Sequence, residues 1–216
     1  MQRVAAPFCR TCGDPLPSWR VASVALARCP RCRRHPPFAA VSAARAAGEY
    51  DGSLRDILHA FKYAGRRGLA DPLGAMLREA GADLLRDADC VVPVPLHAWR
   101  RMHRGFNQAG ELARHLGLPV AHALWRVRAT APQAGLHAAA RRRNVTGAFR
   151  ISPLLRWGQR DRRLVDAVVV LVDDVRTTGA TLDACASTLI GAGAREVRAL
   201  TVARAAPPAT RRTKTL

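Results

Sequence analysis

Four valines and a leucine fill positions Val168 to Val172, and Asp173 and Asp174 follow without a break. An apolar run of this length and β-branched content has the character of a strand buried on both faces, which requires a parallel sheet covered by helices. The two carboxylates then stand at the strand's carboxyl end, the edge of an open α/β sheet where ligands bind. Next come Arg176, Thr177, Thr178, Gly179, Ala180 and Thr181. Gly179 tolerates unusual backbone angles, the hydroxyls can donate, and Thr181 is positioned to cap a helix beginning near Leu182. Such a turn offers several backbone N–H groups, with a helix dipole behind them, to one anion.

A phosphate cradle beside two hydroxyl-accepting carboxylates suits a phosphorylated ribose. The competing reading is a buried strand that ends in an ordinary acidic turn. A Walker-type loop is excluded, because no Gly-Lys-Ser/Thr follows a glycine-rich turn. The stretch resembles the signature of type I phosphoribosyltransferases. That resemblance implies an α/β fold with a parallel sheet flanked by helices. It implies that Asp173 and Asp174 act as the catalytic pair, holding the ribose 2′- and 3′-hydroxyls of phosphoribosyl pyrophosphate (PRPP). It assigns the 5′-phosphate to Arg176, Thr177, Thr178, Gly179, Ala180 and Thr181, and has Mg²⁺ enter with the pyrophosphate.

Cys9-x-x-Cys12, sixteen further residues and then Cys29-x-x-Cys32 is the spacing of a four-cysteine zinc ribbon. Two knuckles each supply two thiolates, Gly13 and Pro30 suit the turns, and four ligands leave no open position, so the Zn²⁺ is expected to be structural. Two disulfides or a redox pair are the alternatives. A cytosolic setting disfavours the first, and a redox pair would normally adjoin a βαβ unit. His35 reads as a surface residue in place of a fifth candidate ligand, and Cys90 and Cys185, alone in apolar contexts, read as packed core thiols.

Between ribbon and signature, residues 33–50 read as a connection into an edge strand. Ser53 to Asp56 has the form of a capping box opening a helix through Leu54, Ile57, Leu58 and Phe61, and Asp71-Pro72 the form of a cap and first-turn proline for a second helix. Cys90 to Pro95 reads as the first strand of the main sheet. The loop after it carries Arg100, Arg101 and Arg104 before Gly105, and a helix runs from Asn107 to Leu116. Guanidinium groups at a sheet's carboxyl edge suit a pyrophosphate, and Arg100 and Arg104 are the candidates; taken alone, a solvated basic loop explains them as well. A strand near 119–127 precedes an arginine-bearing loop at 128–149, residues 152–164 form a surface connection, and strand 196–203 closes the sheet.

The formal charge of +19 invites a nucleic-acid partner. Yet only Lys62 and Lys214 are lysines, so 35 − 2 = 33 of the basic residues are arginine, a bias that a GC-rich genome produces without any binding function. No recognition helix or aromatic stacking set accompanies the charge. No apolar run reaches the ~20 residues needed to span a bilayer, and the N-terminus lacks a signal-peptide core, so a soluble, cytoplasmic protein without membrane insertion is expected.

Taken in order, the chain resembles the ComF family of phosphoribosyltransferase-like competence proteins. The carriers are the four cysteines, Phe61-Lys62-Tyr63, Pro93 to Leu96, Arg104 to Gln108, Gln133 to Leu136, Arg141 with Asn144, Phe149, and Val172 to Thr181. The resemblance adds Lys62 to the residues expected around the phosphoribose. It implies a zinc ribbon at 1–37, a linker and helical hood-like region at 38–87, a phosphoribosyltransferase-like domain at 88–205 and a disordered basic tail at 206–216. Two functions follow from it: PRPP binding with phosphoribosyl transfer and release of pyrophosphate, or non-catalytic handling of single-stranded DNA alongside DNA-uptake proteins, with PRPP binding vestigial or regulatory.

Overall fold

The computed structural model describes residues 3–4, 6–16, 28–63, 65–97, 102, 105–128, 145, 147–153 and 164–205. Arg100, Arg104, the 129–144 stretch and the 206–216 tail lie outside them.

Four strands, β1 (Ala44–Glu49), β2 (Cys90–Pro93), β5 (Val168–Arg176) and β6 (Glu196–Arg204), form a parallel sheet in the order β1-β6-β5-β2. A small antiparallel pair, β3 (Leu124–Arg126) with β4 (Phe149–Ile151), stands apart from it. The helices are α1 (Pro30–Arg34), α2 (Gly52–Tyr63), α3 (Ala70–Ala80), α4 (Ala82–Leu85), α5 (Gln108–Arg114) and α6 (Ala180–Ile190).

Side chains on a strand alternate between faces, and β5 sorts its residues cleanly. Val169 and Leu171 pack with Leu182, Cys185, Ala186 and Leu189 of α6, whereas Val170 and Val172 pack with Leu54, Leu58 and Phe61 of α2, Leu73 and Leu77 of α3, and Leu112 of α5. Both faces are therefore covered, as the unbroken apolar run required. Cys90 and Cys185 are buried in the core, as expected for packed thiols. Among the described residues, no helix is long and apolar enough to cross a membrane.

Several boundaries differ from the sequence reading. The edge strand expected at the end of 33–50 is β1, and it, not the Cys90 segment, is the first strand of the main sheet; it pairs along its length with β6. The sheet thus draws on residues from the 38–87 stretch as well as from 88–205. Helix α2 starts one residue before Ser53: the Asp51 carbonyl accepts the Arg55 N–H at 3.4 Å, and its carboxylate accepts the Gly52 N–H at 2.8 Å. Asp71 and Pro72 lie inside the first turn of α3, since Arg67–Leu69 winds as a 3₁₀ turn leading into it. Proline is tolerated there because first-turn amides have no partner within the helix. Likewise Thr181 is not a cap: α6 starts at Ala180, with Gly179 before it in the left-handed region at φ 84°.

Candidate phosphoribose site and four-cysteine centre

Alternation along β5 also decides what each carboxylate meets. Asp174 shares the parity of Val170 and Val172 and so emerges on the α2 side, where Lys62 Nζ lies 2.9 Å from its Oδ2. Lys62 is held there by its neighbour: Phe61, fully buried in the last turn of α2, meets the Phe106 ring edge-on at 5.6 Å. Phe106 is in turn fixed by the next residue, since Asn107 Nδ2 donates to the Val94 carbonyl at 3.2 Å just beyond β2. Three separate strings, Phe61-Lys62-Tyr63, Val94 after Pro93, and Phe106-Asn107, therefore meet at the carboxyl ends of β2 and β5.

Asp173 has the parity of Val169 and Leu171 and emerges on the α6 side. Its Oδ1 accepts the Asp174 N–H at 2.9 Å. Burial, followed by repulsion from the adjacent Asp174, pushes its carboxyl up to about 7, although the Asp174 amide, Lys62 and Arg126 all favour the charged form. Cys185 of α6 lies close enough for the same carboxylate to reinforce the effect of burial in raising its thiol.

The loop beyond the acids encloses a hollow of about 20 Å³ lined by Asp173, Val175, Arg176, Thr177, Gly179, Ala180, Thr181 and Leu182. Thr178 Oγ1 accepts the Ala180 N–H at 3.4 Å, and the first-turn amides of α6 point out of the helix toward this end. Gly179 is required here twice over. Its φ is positive, and a Cβ at this position would come within 2.4 Å of the Phe38 ring. Arg176 lines this hollow and is anchored beyond it: its Nη2 donates to Asp14 Oδ1 at 3.2 Å and its guanidinium lies 5.9 Å from the Phe38 ring centre.

The four cysteines are drawn together as their spacing implied. Cys9, Cys12, Cys29 and Cys32 are all buried, and their sulfurs lie within 4.8 Å of one another, a set that could hold a metal ion. The Cys12 and Cys29 sulfurs are 3.7 Å apart. A tetrahedron with metal–sulfur bonds of about 2.3 Å has edges of about 3.8 Å, so the donors fit Zn²⁺. Gly13 takes a positive φ of 68° in the first knuckle, and Pro30 opens the short helix α1 behind Cys29, whose sulfur accepts the Cys32 N–H. Sharing a hydrogen bond with Cys9 and burial hold the Cys12 thiol far up, and burial pushes Cys32 up to about 12, while Cys9 is held down at about 4 chiefly by Cys12. Sulfurs this crowded cannot all ionise by themselves; a divalent ion at their centre would let them. His35 is exposed and stands outside the set.

Residues 102–215 match the profile of the phosphoribosyl transferase domain family. The DNA utilization protein YhgH of Salmonella typhimurium is 33% identical over 218 residues, covering 91% of this chain and 83% of the relative. Competence protein F of Haemophilus influenzae is 30% identical over 209 residues, covering 92% and 85%. The chain belongs to the ComF family. A solved structure titled as the allosteric regulatory enzyme of purine biosynthesis superposes on the ComF chain with a TM-score of 0.40 and 23% identity, over 62% of this chain and 25% of that one.

Four residues of this ComF protein surround the site without having been singled out by sequence. Arg126, buried on β3 with its guanidinium 5.4 Å from the Phe149 ring centre, favours the charged Asp173. Asp14 receives Arg176, Phe38 fills the space beside Gly179, and Asp183 in the first turn of α6 accepts the Ala39 and Ala40 N–H groups, both at 2.8 Å. None carries a local motif. The only sequence hint was Asp14's place directly after the first knuckle.

Proposed function

We propose that this ComF-family protein binds PRPP, or a closely related phosphorylated ribose, where β5 gives way to α6. The observation that carries the reading is the pair of carboxylates at the carboxyl end of a central parallel strand, followed at once by a hydroxyl-bearing loop at a helix start. Asp173 and Asp174 would accept the ribose 2′- and 3′-hydroxyls. Thr177, Thr178, Gly179, Ala180 and Thr181 would receive the 5′-phosphate through backbone amides and hydroxyls, with Arg176 acting from behind the loop. Lys62, already at the acids, would supply positive charge for the pyrophosphate, and so would Arg100 and Arg104, which lie outside the described residues. Mg²⁺ would neutralise the pyrophosphate oxygens.

In a transfer reaction the C1′–oxygen bond breaks, its electron pair leaves with pyrophosphate, and an acceptor nucleophile forms the new bond at C1′. Positive charge developing on the ribose ring would be stabilised by Asp174, ion-paired with Lys62, and by Asp173 in the fraction that is ionised near pH 7. The ribbon would hold one structural Zn²⁺, with 1–37 as ribbon, 38–87 as linker and helical cover, 88–205 as the phosphoribosyltransferase-like domain and 206–216 as a basic tail. Calorimetric titration of zinc-loaded protein with PRPP and Mg²⁺ tests the reading. Micromolar binding that Asp173→Ala/Asp174→Ala loses supports it, and no heat of binding from the wild type rejects it.

A second reading is favoured by the charge of +19 together with relatives named for competence and DNA utilization. On that reading the protein handles single-stranded DNA without catalysis in the cytoplasm, beside DNA-uptake partners. Its mark is binding to a single-stranded oligonucleotide that weakens steeply with salt and depends on the ribbon. Weak binding that salt leaves unchanged would dismiss it.

A further inference from the structure

Asp14 is locked into the first cysteine knuckle by its backbone: its carbonyl accepts the Cys9 N–H at 2.8 Å, and the Gly13 N–H donates to the Cys9 carbonyl at 2.8 Å. Its side chain leaves the knuckle altogether. Oδ1 receives Arg176 Nη2 at 3.2 Å and Arg204 Nη1 at 2.5 Å, and the two arginines are only 6% and 8% exposed. One carboxylate therefore bridges two buried guanidinium groups, at the ends of β5 and β6, and Glu49 supplies the second carboxylate to Arg204 at 2.8 Å. Arg176 is the residue immediately before the Thr177–Thr181 loop.

The segment after the second knuckle grips the same loop from another side. Phe38 packs so closely on Gly179 that no Cβ would fit, and it also lies against the Arg176 guanidinium. The amides of Ala39 and Ala40 anchor Asp183 at the first turn of α6. The loop is thus held from behind by residues that flank the four cysteines.

We propose that Asp14 is a positioning residue for the phosphate loop, and that through it a metal ion on Cys9, Cys12, Cys29 and Cys32 sets how well that loop holds a phosphorylated ligand. Without the ion, nothing ties the four sulfurs, now within 4.8 Å of one another, to a common centre, so the knuckle is free to open and Asp14 loses its fixed place from which to hold Arg176. A loop that must be ordered at the moment of binding gives weaker affinity than one ordered beforehand. The inference rests on the phosphoribose reading for its ligand but not for its mechanical content, and the two fail separately.

The test uses the full chain, loaded with Zn²⁺ or stripped by chelation, with two readouts. Hydrogen exchange of the amides from 176 to 183 needs no ligand: removing the metal from the wild type is expected to lower their protection about tenfold, and Asp14→Asn to do the same with metal in place. The amides from 168 to 172 should change much less. PRPP affinity is expected to fall about 10- to 100-fold in Asp14→Asn, to recover in part in Asp14→Glu, and to change less than about threefold in Glu49→Gln, which shares Arg204 but does not touch Arg176. Arg176→Gln, altered on the loop side of the same contact, should reproduce the loosened loop with the ribbon intact. Loop protection that ignores both metal removal and Arg176→Gln overturns the proposal, as does a loss of protection spread evenly over β5. A wild type that binds no PRPP rejects the phosphoribose reading, and the exchange result then still decides the role of Asp14.

Discussion

The two faces of β5 give consecutive carboxylates different chemistry. On the α2 side, Phe61 and Phe106 form an aromatic wedge that delivers Lys62 to Asp174 at 2.9 Å. On the α6 side Ala180, Cys185 and Ala186 alternate with Leu182 and Leu189, and Asp173 meets burial and its own neighbour before it meets a cation. One acid is an ion-pair partner; the other is held near neutrality in the middle of the physiological range. An Asp-Asp pair on a strand is therefore two sites and not one doubled site, because alternation sends each residue into the environment of a different helix.

The largest test of this contrast is Phe61→Ala. Truncating a fully buried aromatic costs about 3 to 5 kcal/mol, read by chemical denaturation, and should also release Lys62 from Asp174. Lys62→Met acts on the same face with less force. It leaves a mostly buried carboxylate without its cation, at about 2 to 3 kcal/mol, and the double variant Lys62→Met/Asp174→Asn should regain most of that loss. If the double variant is no better than the single one, the ion pair is not what joins α2 to β5.

On the other face the expected sign is reversed. The Asp173 carboxyl is raised from 3.8 to about 7 in the fold, so its contribution to stability is complete below about pH 4 and is lost as pH rises through 7. Asp173→Asn has no such loss, and should overtake the wild type by on the order of 2 kcal/mol at pH 8 while converging with it near pH 4. A gap that is constant with pH would remove the distinction between the two acids. The smallest effect belongs to Tyr63→Ala: the ring is 63% exposed and lies tilted against His59, ring centres 4.7 Å apart, so stability should move by no more than about 0.5 kcal/mol.

The strand, the acids and the cysteine quartet were legible because each is written locally. A five-residue apolar run can be buried in few ways, and Cys-x-x-Cys spacing encodes a turn. Lys62 was legible only through family resemblance, since nothing in a helical lysine says which carboxylate it will meet. β1 was legible as an edge strand after the ribbon, but its partner was not: its place in the sheet is fixed by β6, about 150 residues later. Asp14, Phe38 and Arg126 were hidden for the same reason in sharper form. Their partners are brought in by the closing of the sheet, and no short window of sequence contains both ends of such a contact.

The bond from Asp14 to Arg204 joins residues 190 positions apart, so the order of synthesis becomes part of the architecture. A ribosome releases the four cysteines first, and the knuckles have every ligand they need once Cys32 is out. The carboxylate that docks them waits for almost the entire remaining chain, since Arg176 and Arg204 are among the last described residues to be made. The nascent chain can join the first knuckle to β1 early, through the Ala44 N–H on the Thr11 carbonyl, but the side-chain clasp on Asp14 closes only when β6 arrives.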